Sequence, residues 1–219
     1  MQNSAMLAQL RLLHLADSAL SIGSLAHSFG LETVVEEHQL KPQNLFAYLH
    51  NLLEETMHLE AVFCRAAHHR GCFALPCFDL NDRLDAMRVA RESREASLLL
   101  GRRFTTLVAD LETIDTLENC GSVHFSIAFG YCAGALGIEA DDCIAAFLHQ
   151  NVLSTISAAQ RLMALGQRDA NRIAWKLKPV ILEAVRRSRI APEETYCFAH
   201  LPELGSMRHP NLFTRLFIS

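Results

Sequence analysis

The sequence predicts an all-α domain, and three observations carry that prediction. Half of the 219 residues are apolar, with 34 Leu and 28 Ala against 9 Val and 10 Ile. Leu and Ala favour helices, whereas strands select β-branched and aromatic side chains. Core-type positions also recur at helical spacing, as in Leu45, Leu49, Leu52, Leu53 and Thr56, which fall on one face of a 3.6-residue period. Finally, no internal repeat and no Gly/Ser- or Pro-rich linker interrupts the chain, whose length fits one domain.

The elements follow in order. Residues 5–15 form a short apolar helix. Residues 17–23 read as a loop, after which Ser24 caps a helix running to about Glu37. Pro42 suits a first helical turn, where its missing N–H does no harm, and that long helix stops near Gly71. Asp79 or Asn81 caps the next one, with Leu80, Leu84 and Met87 inward and the charged stretch 88–95 outward. Gly101 kinks or ends it before Phe104, Leu107, Val108 and Leu111. Ser122 and Asp141 cap two uncharged segments. Asp169 opens a helix carrying Ile173, Leu177, Val180 and Ile181, with a kink at Pro179. Residues 191–194 start one more short helix. The sum is eight to ten helices and no strand, with residues 1–204 as the helical domain and 205–219 as an appended tail.

The composition narrows the function. A net charge of −4 offers no footprint for nucleic acid, which calls for clustered cations and a high pI. GxxxxGK[ST] is absent, so there is no phosphate cradle of the P-loop kind. The uncharged runs 119–138 and 143–160 approach the length of a membrane span. However, they contain His124, Ser126, His149, Gln150 and Asn151, side chains that are costly in hydrocarbon. They read instead as core helices, with any apolar excess serving as interface. Seven cysteines with no CxxC pair and no export signal point to reduced thiols in a cytoplasmic protein.

Four constellations carry chemistry. Gly130 and Gly134, four apart, lack the strand–turn–helix setting of a dinucleotide loop and suit close helix packing. Cys64, His68, His69, Cys72 and Cys77 are either a metal site or a packed and solvated helix end, because their spacing departs from structural-zinc patterns. His27, Ser28 and Glu32 either form a nucleophile, base and orienting group or fix the loop before them by local hydrogen bonds. The tail carries Met207, Arg208, His209, Leu212, Phe213, Arg215, Leu216, Phe217 and Ile218. Termini are usually polar and loose, so a terminus this apolar docks on its own domain or on another protein.

These residues also carry a resemblance. The stretch Asp17-Ser-Ala-Leu-Ser-Ile-Gly-Ser-Leu-Ala-His-Ser-Phe-Gly-Leu-Glu32 resembles the N-terminal signature of the UreF family of urease accessory proteins. Leu100-Gly-Arg-Arg-Phe104 is similar to that family's mid-chain motif, and Ala133-Gly-Ala-Leu-Gly-Ile138 to its uncharged central helix. Met207-Arg-His209 with Thr214-Arg-Leu-Phe217 is similar to its tail. Ser21 stands where the family usually has proline and Pro210 where it usually has an acidic residue, and residues 72–82 match none of its motifs. The resemblance implies an all-α, dimeric scaffold without catalysis or a cofactor of its own. Such a scaffold binds the accessory protein UreD (also called UreH) and recruits the GTPase UreG, whose hydrolysis it is proposed to control. The assembly delivers nickel to the urease apoprotein. The resemblance further implies partner-binding roles for Arg215, Met207, Arg208, His209, Phe213, Leu216 and Phe217 in the tail, and for His27, Ser28 and Glu32 in the N-terminal motif. The alternative reading is a metallochaperone that holds nickel through the Cys/His cluster.

Overall fold

The computed structural model describes residues 2–17, 20, 22–114, 122–196 and 200–219. Among them every regular element is helical: α1 (Gln2–Leu15), α2 (Leu31–Glu36), α3 (Leu45–Glu54), α4 (Thr56–Cys72), α5 (Phe78–Met87), α6 (Arg91–Leu111), α7 (Phe125–Ala135), α8 (Ala140–Leu162), α9 (Gln167–Lys176), α10 (Lys178–Arg187) and α11 (His200–Arg208), with short 3-10 turns between some of them. The expected long helix from Pro42 to Gly71 is two helices, α3 and α4, broken at Glu55. The expected kink at Pro179 is a break at Leu177, and the proline lies in the first turn of α10, where its missing N–H needs no partner.

The core is built around α7, which is buried along its length as far as Gly134. A helix apolar all round belongs inside other helices, and α4, α6 and α8 surround it. A Cβ on Gly130 would lie 2.0 Å from the carbonyl oxygen of Cys64, and one on Gly134 2.1 Å from that of His68. The contacts advance in step along both chains, so α4 and α7 run parallel with their backbones touching. Interaxial distance is set by the side chains at the contact, and here there are none. Phe104, Phe125, Phe129 and Phe147 join α6, α7 and α8, with ring centroids 5.5–6.0 Å apart, within the favourable range for aromatic pairs. Arg65 on α4 ties α8 to α10 through Asp141 at 2.7 Å and Ser188 Oγ at 2.9 Å.

Several local expectations are corrected. Ser24 opens only a 3-10 turn, Ser24–Ala26; α2 starts after Gly30. The cap of α8 is Glu139, whose carboxylate accepts from the N–H groups of Asp141 and Asp142. His124, not Ser122, precedes α7. Gly101 does not end α6, which runs on to Leu111; it admits the carbonyl of Val123, which a Cβ there would approach to 1.9 Å. The stretch 88–95 is not wholly outward, because Arg88 and Glu60 form a buried ion pair and Ser93 is buried. The buried uncharged helix α7 supplies no interface. Exposed apolar side chains lie instead on α1 (Met6, Leu10, Leu13), at Phe73 and Phe78, and on the tail. Among the described residues no helix is long and apolar enough to cross a membrane.

Candidate functional site: the tail latch

Three of the sequence motifs converge at one place. Gly30, at φ +85°, begins α2 against α11: a Cβ there would sit 2.4 Å from the carbonyl of Pro202, and one on Gly205 2.5 Å from that of Gly30. Only glycine adopts this conformation freely and tolerates this approach. Gly205 lies inside α11, so the segment beyond the helix begins at His209. Pro210 falls in a 3-10 turn, His209–Asn211, which its fixed φ suits. Ser21 lies outside the described residues.

From Leu212 the chain runs back over the N-terminal motif. Ile218 N–H donates to the carbonyl of Ala26 (2.9 Å), and the N–H groups of Ser28 and Phe29 donate to the carbonyl of Ser219 (2.5 and 3.2 Å). His27 Nδ1 lies 2.8 Å from Ser219 Oγ. The Phe217 ring is buried beneath the Arg161 guanidinium, 4.0 Å from its centroid, and Arg161 also donates to the carbonyl of Leu25. From the mid-chain motif, Arg103 donates to the carbonyl of Ile22 at 3.2 Å.

Glu32 is the centre of this latch. Its carboxylate is 3% exposed and accepts from Leu216 N–H (2.5 Å) and Phe217 N–H (3.1 Å). His209, fully buried, stands between two carboxylates: Nε2 is 2.8 Å from Glu32 and Nδ1 is 2.8 Å from Glu92. Arg215 reaches Glu92 at 3.6 Å, and Arg208 pairs with Glu37 at 3.0 Å. Burial, then the charge of Arg103, lowers the His27 pKa and keeps that ring neutral.

The ten residues singled out from the sequence therefore divide. His27, Ser28, Glu32, His209 and Phe217 are buried and hold the tail down. Met207, Arg208, Phe213, Arg215 and Leu216 are exposed, Phe213 entirely. His27 does not face Ser28 as a base faces a nucleophile: its Nδ1 goes to Ser219, while Ser28 Oγ accepts from Glu32 N–H at 3.4 Å. Glu92, Arg161 and Ser219 belong to the site and were not singled out. Nothing local distinguishes them, since Glu92 is one of several charges in the stretch 88–95, and only the fold brings the three here.

The model of the UreF family matches residues 41–178. Similarity to curated relatives extends over nearly the whole chain. The chain is 32% identical over 222 residues to urease accessory protein UreF of Haemophilus influenzae, covering 95% of this chain and 94% of that protein. It is 31% identical to UreF of Corynebacterium glutamicum (95% and 96% covered). It is 30% identical to UreF of a Bacillus species, strain TB-90 (96% and 98%). This chain belongs to the UreF family.

In this UreF-family chain the Cys/His cluster does not converge. His68 Nε2 lies 2.8 Å from the carbonyl of Ile138, and its Nδ1 faces Cys72 Sγ at 3.8 Å. Cys64 is buried, and burial followed by a hydrogen bond with Cys143 pushes its thiol well up; burial also raises that of Cys72. Metals bind thiolates, which these surroundings disfavour. Among the described residues, no group of three or more His, Cys, Asp or Glu side chains is placed to hold a metal ion.

Proposed function

We propose that this chain is a non-catalytic scaffold of urease maturation: it binds the accessory protein UreD through its tail and recruits the GTPase UreG into the complex that delivers nickel to the urease apoprotein. It works as a homodimer in the cytoplasm and regulates GTP hydrolysis by UreG through contact. One observation supports this reading above the others. A single segment combines a buried polar latch with an outward apolar row, Phe213, Leu216 and Ile218, the first wholly exposed. Fixing a segment while leaving its large side chains in water makes little sense for stability alone, whereas it presents pre-ordered anchors to a partner. Arg215 and Arg208 flank that row as directional donors. Membership of a family of urease accessory proteins supports a role in urease maturation.

The test is a binding measurement between the full-length chain and UreD. Phe213→Ala combined with Leu216→Ala is expected to weaken the complex roughly tenfold or more, the scale of a truncated anchor. Arg215→Ala weakens it as well, and circular dichroism stays unchanged in both variants. Unaltered affinity in both overturns the tail as the docking face. Loss of helicity that parallels the loss of binding assigns these residues to the fold instead.

A further inference from the structure

Behind the latch lies a cavity of about 100 Å³, enclosed by residues of the 24–29 turn, of α3 and α4, of α8 and of α11. Its walls hold polar side chains that the protein leaves unpartnered. Gln150 on α8 is 2% exposed and His27 5%. Both amide atoms of Gln150, His27 Nε2 and Thr56 Oγ1 lack a hydrogen-bond partner among the described residues. Buried polar groups are almost always satisfied, and a cluster of exceptions calls for a specific explanation. These four line one space, while others, such as those of His124 and Ser126, lie elsewhere.

The chemistry of the walls selects an occupant. Of the charged groups in them, Arg88 pairs with Glu60, and the Glu203 carboxylate accepts from Ala90 N–H at 2.9 Å. Tyr48 stays a neutral phenol because burial raises its pKa, and His27 stays neutral for the reasons given above. An unpaired charge in such a place is expensive, so the fitting guest is neutral. Leu100, Phe125 and Phe147 make another wall apolar. The Gln150 amide offers a donor and an acceptor side by side, the complement of another carboxamide. At roughly 10–15 Å³ for each water-sized position, the volume of about 100 Å³ suits a molecule of roughly six to ten non-hydrogen atoms.

We propose that this cavity binds a small neutral primary amide with an apolar flank. The guest's carboxamide pairs reciprocally with Gln150, its carbonyl also accepts from His27 Nε2–H, and its flank lies on the phenylalanine wall. His27 couples the site to the tail. A neutral imidazole has one donor and one acceptor. A guest that takes Nε2–H therefore leaves Nδ1 as the acceptor for the Ser219 hydroxyl, 2.8 Å away. Binding fixes the tautomer that fastens the tail, so each event strengthens the other.

Benzamide is the probe, titrated into the nitrogen-15-labelled full-length chain. The expected result is a saturable shift of the Gln150 side-chain amide, with the His27 ring nitrogens settling as the Nε2–H tautomer. Gln150→Met weakens binding roughly tenfold with thermal stability retained, and Thr56→Val serves as the second variant should that protein fold poorly. Ser219→Ala, which leaves the cavity walls intact, weakens benzamide roughly fivefold through the linkage. Absence of a saturable shift up to the solubility limit overturns the site, as does affinity indifferent to both cavity variants. So does a benzamide-soaked crystal holding only water in the cavity. An unchanged affinity in Ser219→Ala overturns the coupling.

Discussion

Replacing Glu32 by glutamine is the sharpest test of the latch. The substitution keeps the shape of the side chain, removes its charge and turns one acceptor into an NH2 group. Three donors converge on the carboxylate: Leu216 N–H, Phe217 N–H and His209 Nε2. Hydrogen bonds to a charged acceptor contribute about 1.5–3 kcal/mol each, and a buried donor left unpaired costs about 1–3 kcal/mol. Glutamine retains one oxygen, so the net loss is roughly 3 kcal/mol rather than the sum over all three bonds. Burial of the Phe217 ring stabilises the closed tail by about 2 kcal/mol and is unaffected. The tail therefore opens more often without becoming detached. At about 1.4 kcal/mol per tenfold, native-state hydrogen exchange should show the Leu216 and Phe217 amides losing roughly a hundredfold protection. Amides of α7 should stay as they are, because the latch lies outside the core. Unchanged protection at Leu216 and Phe217 refutes the central role of Glu32. An equal loss of protection in α7 refutes the view that the tail opens as a local unit.

Two further outcomes follow from the core. Gly134→Ala forces a methyl to within 2.1 Å of the carbonyl of His68 and should cost about 3 kcal/mol, lowering Tm by roughly 6–12 °C in a chain of this size. Gly166, with open space around its Cβ position, should accept alanine within about 1 kcal/mol; equal effects of the two substitutions contradict the close packing of α4 on α7. Acid should destabilise the fold through His124, whose pKa falls from 6.5 to about 3 by burial first and then by Arg88 and Arg94. Its stabilising contribution is complete above pH 6.5 and is lost progressively as the pH falls towards 3, because the unfolded chain takes up the proton first. Between pH 7 and pH 5 that amounts to about 2 kcal/mol, read as the difference in urea unfolding between the native chain and His124→Gln; parallel curves contradict it.

Much of this protein is legible in its sequence. Its helices are local objects, set by Leu and Ala content and by periodic apolar faces such as that of Leu45, Leu49 and Leu53, all buried. The spacing of Gly130 and Gly134 likewise signals close helix packing, since nothing else in the local pattern uses two glycines one turn apart. Helix ends are less legible, because a cap is decided by which nearby oxygen reaches the free N–H groups. Glu139 reached those of α8 where Asp141 was the expected cap.

The tertiary structure alone decided what the conspicuous residues do. His27, Ser28 and Glu32 are consistent in sequence with a catalytic set, and they serve as the seat of a tail whose partners lie 177 to 192 positions away. The five-residue Cys/His cluster is dense in sequence, yet the fold separates it: Cys64 and Cys77 are buried, His69 and Cys72 are exposed, and His68 turns one ring nitrogen to the carbonyl of Ile138. The apolar tail is divided by the fold into a buried anchor, Phe217, and an exposed row around Phe213. Local propensity acts over a few residues, so the sequence by itself determines helices and the family they belong to. A buried carboxylate takes whatever donors the folded chain brings to it, and that is settled only when the two ends meet.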